Sequence, residues 1–260
     1  MILKELFHFN DYLHKQILDG QTEINGLTFD SRFVHQGFIF FAFPGTNTDG
    51  HLFIADAVAR GASVIVYSDP NISFPAHWRV SWIRVDDVRK TMAQAAARFY
   101  EHPSREMRLF GVTGTNGKTS TCFFLRNILE ENGSACGLMT TPKNIIGPDI
   151  YEAINTTEES LQLQANLRMM LDKGIRQAVL EVSSHGLALG RVEGLFFDAA
   201  VFTNMVAEHL EFHKSFEHYF SSKKKLIEMV EQNNQKSYPR LAVINGDDEN
   251  CRKIAAGSRL

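Results

Sequence analysis

A glycine-rich stretch in the middle of the chain constrains its fold more than any other feature of the sequence. Residues 111–119 read GVTGTNGKT, and they lie between a run with strand character and a run with helical character. Glycines let successive backbone N–H groups turn toward phosphate oxygens, and the start of a helix adds the positive end of its dipole. Lys118 can reach the outer phosphates, and the Thr119 hydroxyl can bind Mg²⁺. The stretch therefore predicts a phosphate-binding loop at a strand-to-helix junction.

The spacing within this loop differs from the common phosphate-loop pattern. That pattern has a glycine five residues before the Gly-Lys pair, whereas Val112 stands there and the nearest glycines are Gly111 and Gly114. This difference weakens the case that the chain is a generic kinase or GTPase. The sequence also has no Asn-Lys-x-Asp motif and no Asp-x-x-Gly motif after the loop. It therefore lacks the motifs that would make the site specific for guanine.

Strand-like and helix-like runs alternate along the chain, which predicts an α/β fold. Before the loop we predict strands at 37–43, 63–67 and 81–85 and helices at 52–60 and 88–100. From the loop onward we predict strands at 108–112, 135–140, 177–182, 199–204 and 241–245 and helices at 119–131, 158–173 and 216–231. The second set is typical of a mostly parallel sheet with helices on both faces.

A domain boundary is predicted where a helical pattern stops at Pro103 and a new strand begins. This gives an N-terminal domain at 1–104 and a second domain, with the phosphate loop, at 105–260. The second domain is expected to be incomplete, because the sequence ends soon after the strand at 241–245 and a short helix.

Composition and charge exclude several classes of protein. The chain has 27 basic and 30 acidic residues and a formal net charge of -3, which argues against non-specific nucleic-acid binding. No apolar run approaches the roughly 18 residues that span a bilayer, and the N-terminus lacks the pattern of a secretory signal. We expect a cytoplasmic protein with no membrane contact. Its 3 cysteines match no zinc or redox spacing and are expected to be reduced.

A second chemical cluster, EVSSHG at 181–186, follows the predicted strand at 177–182. In open parallel sheets ligands bind beyond the carboxyl ends of strands, so Glu181 should face the same crevice as the phosphate loop. Considered alone, a glutamate at a strand end is more often paired with a surface lysine. Beside a phosphate loop, a magnesium ligand is favoured, because Mg²⁺ prefers hard oxygen donors and bridges phosphates.

Histidines and acids follow the next predicted strand, at 199–204. His209 and His213 have the spacing of a zinc-binding helix pair, but the His-Glu-x-x-His order is missing and no third soft ligand is evident. Zinc is therefore set aside, and we interpret His213 and His218 as structural. His209 differs because it follows the strand that should neighbour Glu181.

Three consecutive lysines, Lys223, Lys224 and Lys225, lie in the predicted helix at 216–231. Such a run is usually a solvated face, and this is our interpretation of Lys224 and Lys225. Helical spacing by itself does not separate Lys223 from its neighbours.

Five separate blocks of the sequence together resemble one family. They are GVTGTNGKTS at 111–120, EVSSHGL at 181–187, FTNMVAEHLEFH at 202–213, HYFSSKKKLI at 218–227 and VINGDDE at 243–249. In this order they are similar to the central ATPase domain of the Mur ligases, which are ATP-dependent ligases that add amino acids to UDP-N-acetylmuramoyl peptides. The segment at 27–62 resembles the uridine-nucleotide domain of members that add meso-diaminopimelate or L-lysine to UDP-N-acetylmuramoyl-L-alanyl-D-glutamate.

The resemblance implies a role for particular residues. The ATP phosphates would contact Gly114, Thr115, Asn116, Gly117, Lys118 and Thr119, and the nucleotide would also contact Asn245 and Asp248. Two Mg²⁺ ions would be held by Thr119, Glu181, His209 and a carbamylated Lys223; with Lys118, the last three would form the catalytic group. The UDP part would bind at Ser31, Thr46, Asn47 and Thr48, and the muramoyl-dipeptide at Thr156, Thr157, Ser183 and Arg191.

Several positions differ from the family pattern. Glu158 follows the threonine pair where many members have proline, and Leu189 stands where diaminopimelate-adding relatives have glutamine. The family's Asp-His-x-Asp is Glu-His-Leu-Glu at 208–211. These differences concern the contacts to the substrate peptide more than the ATP site.

The family's C-terminal domain, which selects the incoming amino acid and closes over ATP, is not among these 260 residues. We therefore expect a fragment of a longer ligase or a natural short relative, a monomer without ligase turnover of its own. Three alternatives stay open at this point: a folylpolyglutamate-synthase-like ligase, a GTPase switch and a non-catalytic UDP-sugar-binding relative. The first would begin near its phosphate loop, whereas here about a hundred residues precede the loop.

Overall fold

The computed structural model describes residues 1–8, 12, 14–45 and 48–260. It divides into two compact units, Met1–Phe99 and Tyr100–Leu260, and the α/β class is confirmed in both. The boundary predicted after residue 104 lies a few residues beyond this division. As a division of function, it stays a prediction.

The first unit is a five-stranded sheet with the order β1-β5-β4-β3-β2. Its strands are β1 (His14–Gln16), β2 (Gly26–Thr28), β3 (Phe38–Ala42), β4 (Ala62–Tyr67) and β5 (Ser81–Arg84). All neighbours are parallel except β1 and β5, which are antiparallel. The helices of this unit are α1 (Leu3–Leu6), α2 (Ile54–Ala59) and α3 (Val88–Phe99).

The second unit is built on a seven-stranded sheet with the order β12-β11-β6-β10-β7-β8-β9. Its strands are β6 (Arg108–Thr113), β7 (Gly137–Met139), β8 (Lys143–Ile146), β9 (Asp149–Glu152), β10 (Gln177–Glu181), β11 (Ala199–Phe202) and β12 (Leu241–Ile244). The helices are α4 (Lys118–Glu131), α5 (Ser160–Asp172), α6 (Ser184–Ala188), α7 (Leu210–His213), α8 (Phe216–Gln232) and α9 (Glu249–Ala256). The first five strands in the sheet order are parallel, and β8 and β9 form an antiparallel edge.

The central strands of the second unit are buried on both faces. Successive side chains of a strand point to opposite faces of the sheet. In β10, Ala178 and Leu180 belong to one core cluster, and Val179 belongs to the cluster on the other face. This double burial explains why these strands read as unbroken apolar runs in the sequence. Because these strands are parallel, their carboxyl ends lie at one edge of the sheet.

The long, strongly apolar elements lie where they were predicted, and the short polar ones were missed. The hairpin β8–β9 is such a case, because β9 is largely exposed and its residues carry no burial pattern. Within the described residues, no helix is both long enough and apolar enough to cross a membrane. Cys122, Cys136 and Cys251 are buried and form no disulfide.

A buried ion pair lies at the end of the sheet opposite the phosphate loop. Lys236 Nζ is 2.5 Å from Asp198 Oδ2, and both side chains are at most 4% exposed. The same lysine donates to the carbonyl of Met107 at 2.7 Å, and Asp198 Oδ2 accepts the Leu109 N–H at 2.8 Å. The pair thus connects the start of β6, the start of β11 and the segment after α8.

We expect Asp198→Ala to destabilise the second unit by about 3 kcal/mol or more, because it leaves the buried Lys236 charge unpaired. Glu228→Ala is the matched control, since its pair with Lys224 is half-exposed and should contribute less than about 1 kcal/mol. Urea unfolding followed by circular dichroism measures both. Equal free energies of unfolding for the two variants would contradict this prediction.

Candidate functional site

The predicted phosphate loop joins β6 to α4. Two glycines set its shape, Gly114 with a φ of 150° and Gly117 with a φ of 81° as the residue before the helix. A Cβ at Gly114 would lie 1.9 Å from Thr203 Oγ1. Only glycine fits there, because both the backbone conformation and the close contact exclude a side chain.

The loop is held by the segment that follows β11. Thr115 N–H donates to the carbonyl of Asn204 at 2.8 Å, and Asn116 N–H donates to Asn204 Oδ1 at 2.9 Å. The Asn204 amide returns a hydrogen bond to the carbonyl of Asn116 at 3.0 Å. The N–H groups of Thr115 and Asn116 therefore already donate hydrogen bonds within the protein. The N–H groups of Lys118 and Thr119 begin α4, and groups at this position have no acceptor within a helix.

Lys118, Thr119 and Glu181 lie together because β10 is the parallel neighbour of β6. Thr119 Oγ1 donates to Glu181 Oε2 at 2.7 Å, and Lys118 Nζ lies 4.0 Å from Glu181 Oε1. The Glu181 side chain is 4% exposed, and Lys118 Nζ also donates to the carbonyl of Thr115 at 2.8 Å. A hydroxyl and a carboxylate at a helix start are hard oxygen donors, so these residues fit Mg²⁺.

Lys223 differs sharply from the other two lysines of its run. It is 2% exposed, and its Nζ donates to the carbonyl of Gly114 at 2.6 Å. Lys224 is half-exposed and pairs with Glu228, and Lys225 is exposed. Burial, and next the charge of Lys118, lower the pKa of Lys223 to about 7.

A signal in the sequence could have separated Lys223 from its neighbours. The apolar residues of α8 that are buried are Tyr219, Leu226, Ile227 and Val230. Residue 223 lies at helical spacing on the same apolar face of the helix, whereas residues 224 and 225 do not. The apolar pattern of the helix therefore distinguishes Lys223 from its two neighbours. Helical spacing thus separates Lys223 from Lys224 and Lys225, and the interpretation that it does not was wrong.

The contacts of His209 are with two neighbouring acids and with another histidine. It precedes α7 and has a half-exposed side chain, with ion-pair distances of 3.7 Å to Glu208 and 3.4 Å to Glu211. Its ring also stands 4.8 Å from the ring of His185. Among the contacts of the described residues, none joins His209 to Thr119 or Glu181. Its role at a metal stays a prediction.

His213 and His218 contact each other. Burial, together with the neighbouring imidazoles, lowers the pKa of His213 to about 4, so this ring is neutral. His213 Nδ1 is 3.2 Å from His218 Nδ1. No group of three or more histidine, cysteine, aspartate or glutamate side chains in the described part of the chain is arranged to hold a metal ion.

Asn245 and Asp248 stabilise the segment after β11. Asn245 Nδ2 donates to the carbonyl of Thr203 at 2.7 Å. Asp248 accepts the N–H of Met205 at 2.9 Å, and its other oxygen caps α9 through the N–H of Cys251 at 2.8 Å. Their contact with the nucleotide stays a prediction.

Three of the residues predicted to hold the dipeptide surround the end of β10. Thr157 and Ser183 share a hydroxyl contact of 3.0 Å, and Arg191 Nη1 donates to the carbonyl of Thr157 at 2.8 Å. Arg191 also lies 3.0 Å from the carboxylate of Glu159. Thr156 is set apart from this group and accepts a hydrogen bond from the hydroxyl of Thr141 at 2.9 Å.

The predicted uridine site lies in the first unit, and part of it can be described. Ser31 is buried and hydrogen-bonds to Asp56. Asp30 caps the short turn that begins at Ser31 and forms a bidentate pair with Arg32. The carbonyl of Thr48 accepts the N–H of Gly45 at 2.9 Å. Thr46 and Asn47 lie outside the described residues.

The parallel sheet, the strand-to-helix glycine loop and the buried carboxylate beside it define a phosphate-loop type of α/β protein. Comparison with known families gives two matches, to the Mur ligase catalytic domain over residues 23–100 and to the Mur ligase middle domain over residues 112–259. The chain belongs to the Mur ligase family.

Individual relatives agree with this assignment. The chain is 41% identical over 240 residues to the UDP-N-acetylmuramoyl-L-alanyl-D-glutamate–2,6-diaminopimelate ligase of Solibacter usitatus (strain Ellin6076), with 92% of this chain and 47% of that protein covered. It is 43% identical over 225 residues to the enzyme of the same name from Clostridium tetani (strain Massachusetts / E88), with 86% and 46% covered.

A solved structure of a ligase with that name matches with a TM-score of 0.78 and 28% identity, covering 100% of this chain and 50% of the other. The chain spans about half the length of the curated relatives it matches.

We expect Lys223, and neither Lys224 nor Lys225, to form a carbamate, because only a neutral amine attacks CO₂. A pKa of about 7 keeps the Lys223 amine neutral above that pH and protonates it below. With ¹³C-bicarbonate at about pH 8, a carbamate NMR signal should appear in the wild-type chain. It should fall as the pH decreases through about 7.

The matched variants decide the assignment. Lys224→Ala and Lys225→Ala should keep the carbamate signal, and Lys223→Ala should lose it. A signal that persists in Lys223→Ala would place the modification on another lysine.

Proposed function

We propose that this chain forms the UDP-substrate-binding and ATP-binding parts of a ligase. The ligase joins a third amino acid to UDP-N-acetylmuramoyl-L-alanyl-D-glutamate, with ATP and Mg²⁺ as cofactors. The observation that carries the proposal is the convergence of Lys118, Thr119, Glu181 and the buried Lys223 on one glycine loop, in a chain whose relatives are named for this reaction.

In this proposal the loop binds the ATP phosphates. Lys118 supplies a positive charge, and the free N–H groups at the start of α4 supply hydrogen bonds to the outer phosphates. Magnesium, when bound at Thr119 and Glu181, would neutralise the phosphate charge and stabilise the phosphoryl group in transfer. When protonated, Lys223 adds positive charge beside Gly114; as a carbamate it would add a further anionic oxygen ligand.

The substrate carboxylate would be phosphorylated by ATP, and the amine of the incoming amino acid would displace the phosphate. Two polyanions must approach each other for this step, so cationic groups on both sides are needed. In this proposal Arg191, close to Thr157 at the end of β10, would bind the acidic dipeptide.

The alternatives are less well supported. A folylpolyglutamate-synthase-like ligase does not account for the family match over residues 23–100 in the first unit. A GTPase switch is disfavoured by the family match of the second unit over residues 112–259. A non-catalytic relative is disfavoured by the intact set of Lys118, Thr119 and Glu181.

We expect Lys118→Ala and Glu181→Ala to weaken MgATP binding strongly and to leave the fold intact. Loss of one such charged group costs roughly 3 kcal/mol, which is about a hundredfold in Kd. Glu181→Gln keeps the shape of the buried side chain and should weaken binding in the same way. Isothermal titration calorimetry measures the affinity, and Lys224→Ala is the control. Wild-type affinity in the Lys118 and Glu181 variants would refute the site.

We expect Ser31→Ala to weaken binding of UDP-N-acetylmuramoyl-L-alanyl-D-glutamate and to leave MgATP affinity unchanged, because the two predicted sites lie in different units. Loss of one hydrogen bond of about 1 kcal/mol is roughly fivefold in Kd. Ser73→Ala, in the same unit, is the control for deleting a serine hydroxyl. Melting temperatures show whether loss of the Ser31–Asp56 hydrogen bond has destabilised the unit. Equal losses for both ligands would contradict the division of function.

A further inference from the structure

Helix α8 contacts the phosphate loop through two side chains, one helical turn apart. Lys223 reaches the carbonyl of Gly114, and Tyr219 places its hydroxyl 2.7 Å from Thr115 Oγ1. Tyr219 is 0% exposed, and its ring lies 4.9 Å from Lys223 Nζ. Adjacent residues of the helix face therefore touch adjacent residues of the loop.

The hydrogen bonds of the Thr115 hydroxyl identify the donor. Val206 N–H can only donate, and it reaches Thr115 Oγ1 at 2.9 Å. The carbonyl of Val206 can only accept, and Thr115 Oγ1 lies 3.0 Å from it. The single hydrogen of Thr115 is thus used on Val206, which leaves one lone pair for Tyr219. Tyr219 therefore donates.

The state of Tyr219 agrees with this direction. Burial raises the pKa of its phenol above the ordinary value, so the hydroxyl keeps its proton at neutral pH. A hydroxyl with one donated and two accepted hydrogen bonds is fully satisfied. Removing the phenol donor would leave a buried acceptor site on Thr115 unfilled, which is unfavourable.

We propose that Tyr219 is a positioning residue, which holds Thr115 through this donated hydrogen bond and thereby orders the phosphate loop for ATP. The part that concerns ATP rests on the proposed function. Because Thr115 N–H also donates to Asn204, Tyr219 fixes the junction of three segments: the loop, the chain after β11 and α8. The same contact fixes the position of the helix turn that carries Lys223.

Amide hydrogen exchange tests the ordering without any ligand. In Tyr219→Phe, the amides of Thr115, Asn116 and Val206 should exchange roughly fivefold faster or more, the effect of one lost hydrogen bond. Tyr151→Phe is the matched control, because Tyr151 lies on the outer strand β9 and its hydroxyl donates to the sulfur of Met169 in α5. Unchanged exchange at Thr115 and Val206 in Tyr219→Phe would overturn the proposal.

A double-mutant cycle separates positioning from general stability. Thr115→Val keeps the shape of the side chain and removes the hydroxyl, so Tyr219→Phe should have no further effect on the Asn116 amide in that background. Thr115→Ser keeps the hydroxyl and should retain the full effect. Additive effects of Tyr219→Phe and Thr115→Val would show that Tyr219 acts through packing instead, and would overturn the proposal.

The same variants report on ATP. In Tyr219→Phe the Kd for MgATP should rise roughly fivefold or more, and Tyr151→Phe should keep the wild-type value. If the wild-type chain does not bind MgATP, the proposed function fails while the exchange result still decides the role of Tyr219. If wild-type and Tyr219→Phe bind equally, the link from Tyr219 to ATP is refuted.

Discussion

The parallel pairing of β6 with β10 on one side and β11 on the other is the constraint on which the second unit depends. Parallel strands direct their carboxyl ends to one edge, so the residues that follow the three strands must meet there. The loop after β6 supplies Lys118 and Thr119, the end of β10 supplies Glu181, and the segment after β11 supplies Asn204. The contacts that join these three segments follow from this neighbour relation, although the segments are far apart in sequence.

Each end of this sheet holds a buried lysine, and the two lysines have different partners. At the amino end, Lys236 lies against the carboxylate of Asp198 and two further strands are linked through that pair. At the carboxyl end, Lys223 is equally buried, and its Nζ contacts the carbonyl of Gly114 and an aromatic ring. Burial lowers the pKa of both lysines, and at Lys236 the carboxylate of Asp198 opposes that effect. At Lys223 the charge of Lys118 adds to it, and the pKa falls to about 7; a pKa perturbed in this way is typical of functional groups.

The sequence was sufficient to predict the elements that depend on local pattern. The runs that became β6, β10 and α8 are apolar at strand or helix spacing, and the glycine loop carries its own geometric requirement at Gly114 and Gly117. The short hairpin β8–β9 was missed because its exposed edge strand needs no apolar pattern. In the candidate site, Thr203, Asn204 and Tyr219 were missed for a different reason. Their importance comes from contacts with residues about ninety or a hundred positions away, which no local pattern records.

The contact between Gly114 and Thr203 restricts the order in which the two positions can change. Thr203 Oγ1 donates to the carbonyl of Asn116 at 2.7 Å and occupies the space that a Cβ at Gly114 would need. A smaller residue at 203 would open that space, yet the φ of 150° at Gly114 would still disfavour any other residue there. Position 203 can therefore vary while position 114 remains glycine. Position 114 cannot change to another residue, whether or not Thr203 is kept. Among diverging relatives of this chain, we expect substitutions at 203 in sequences that all keep glycine at 114.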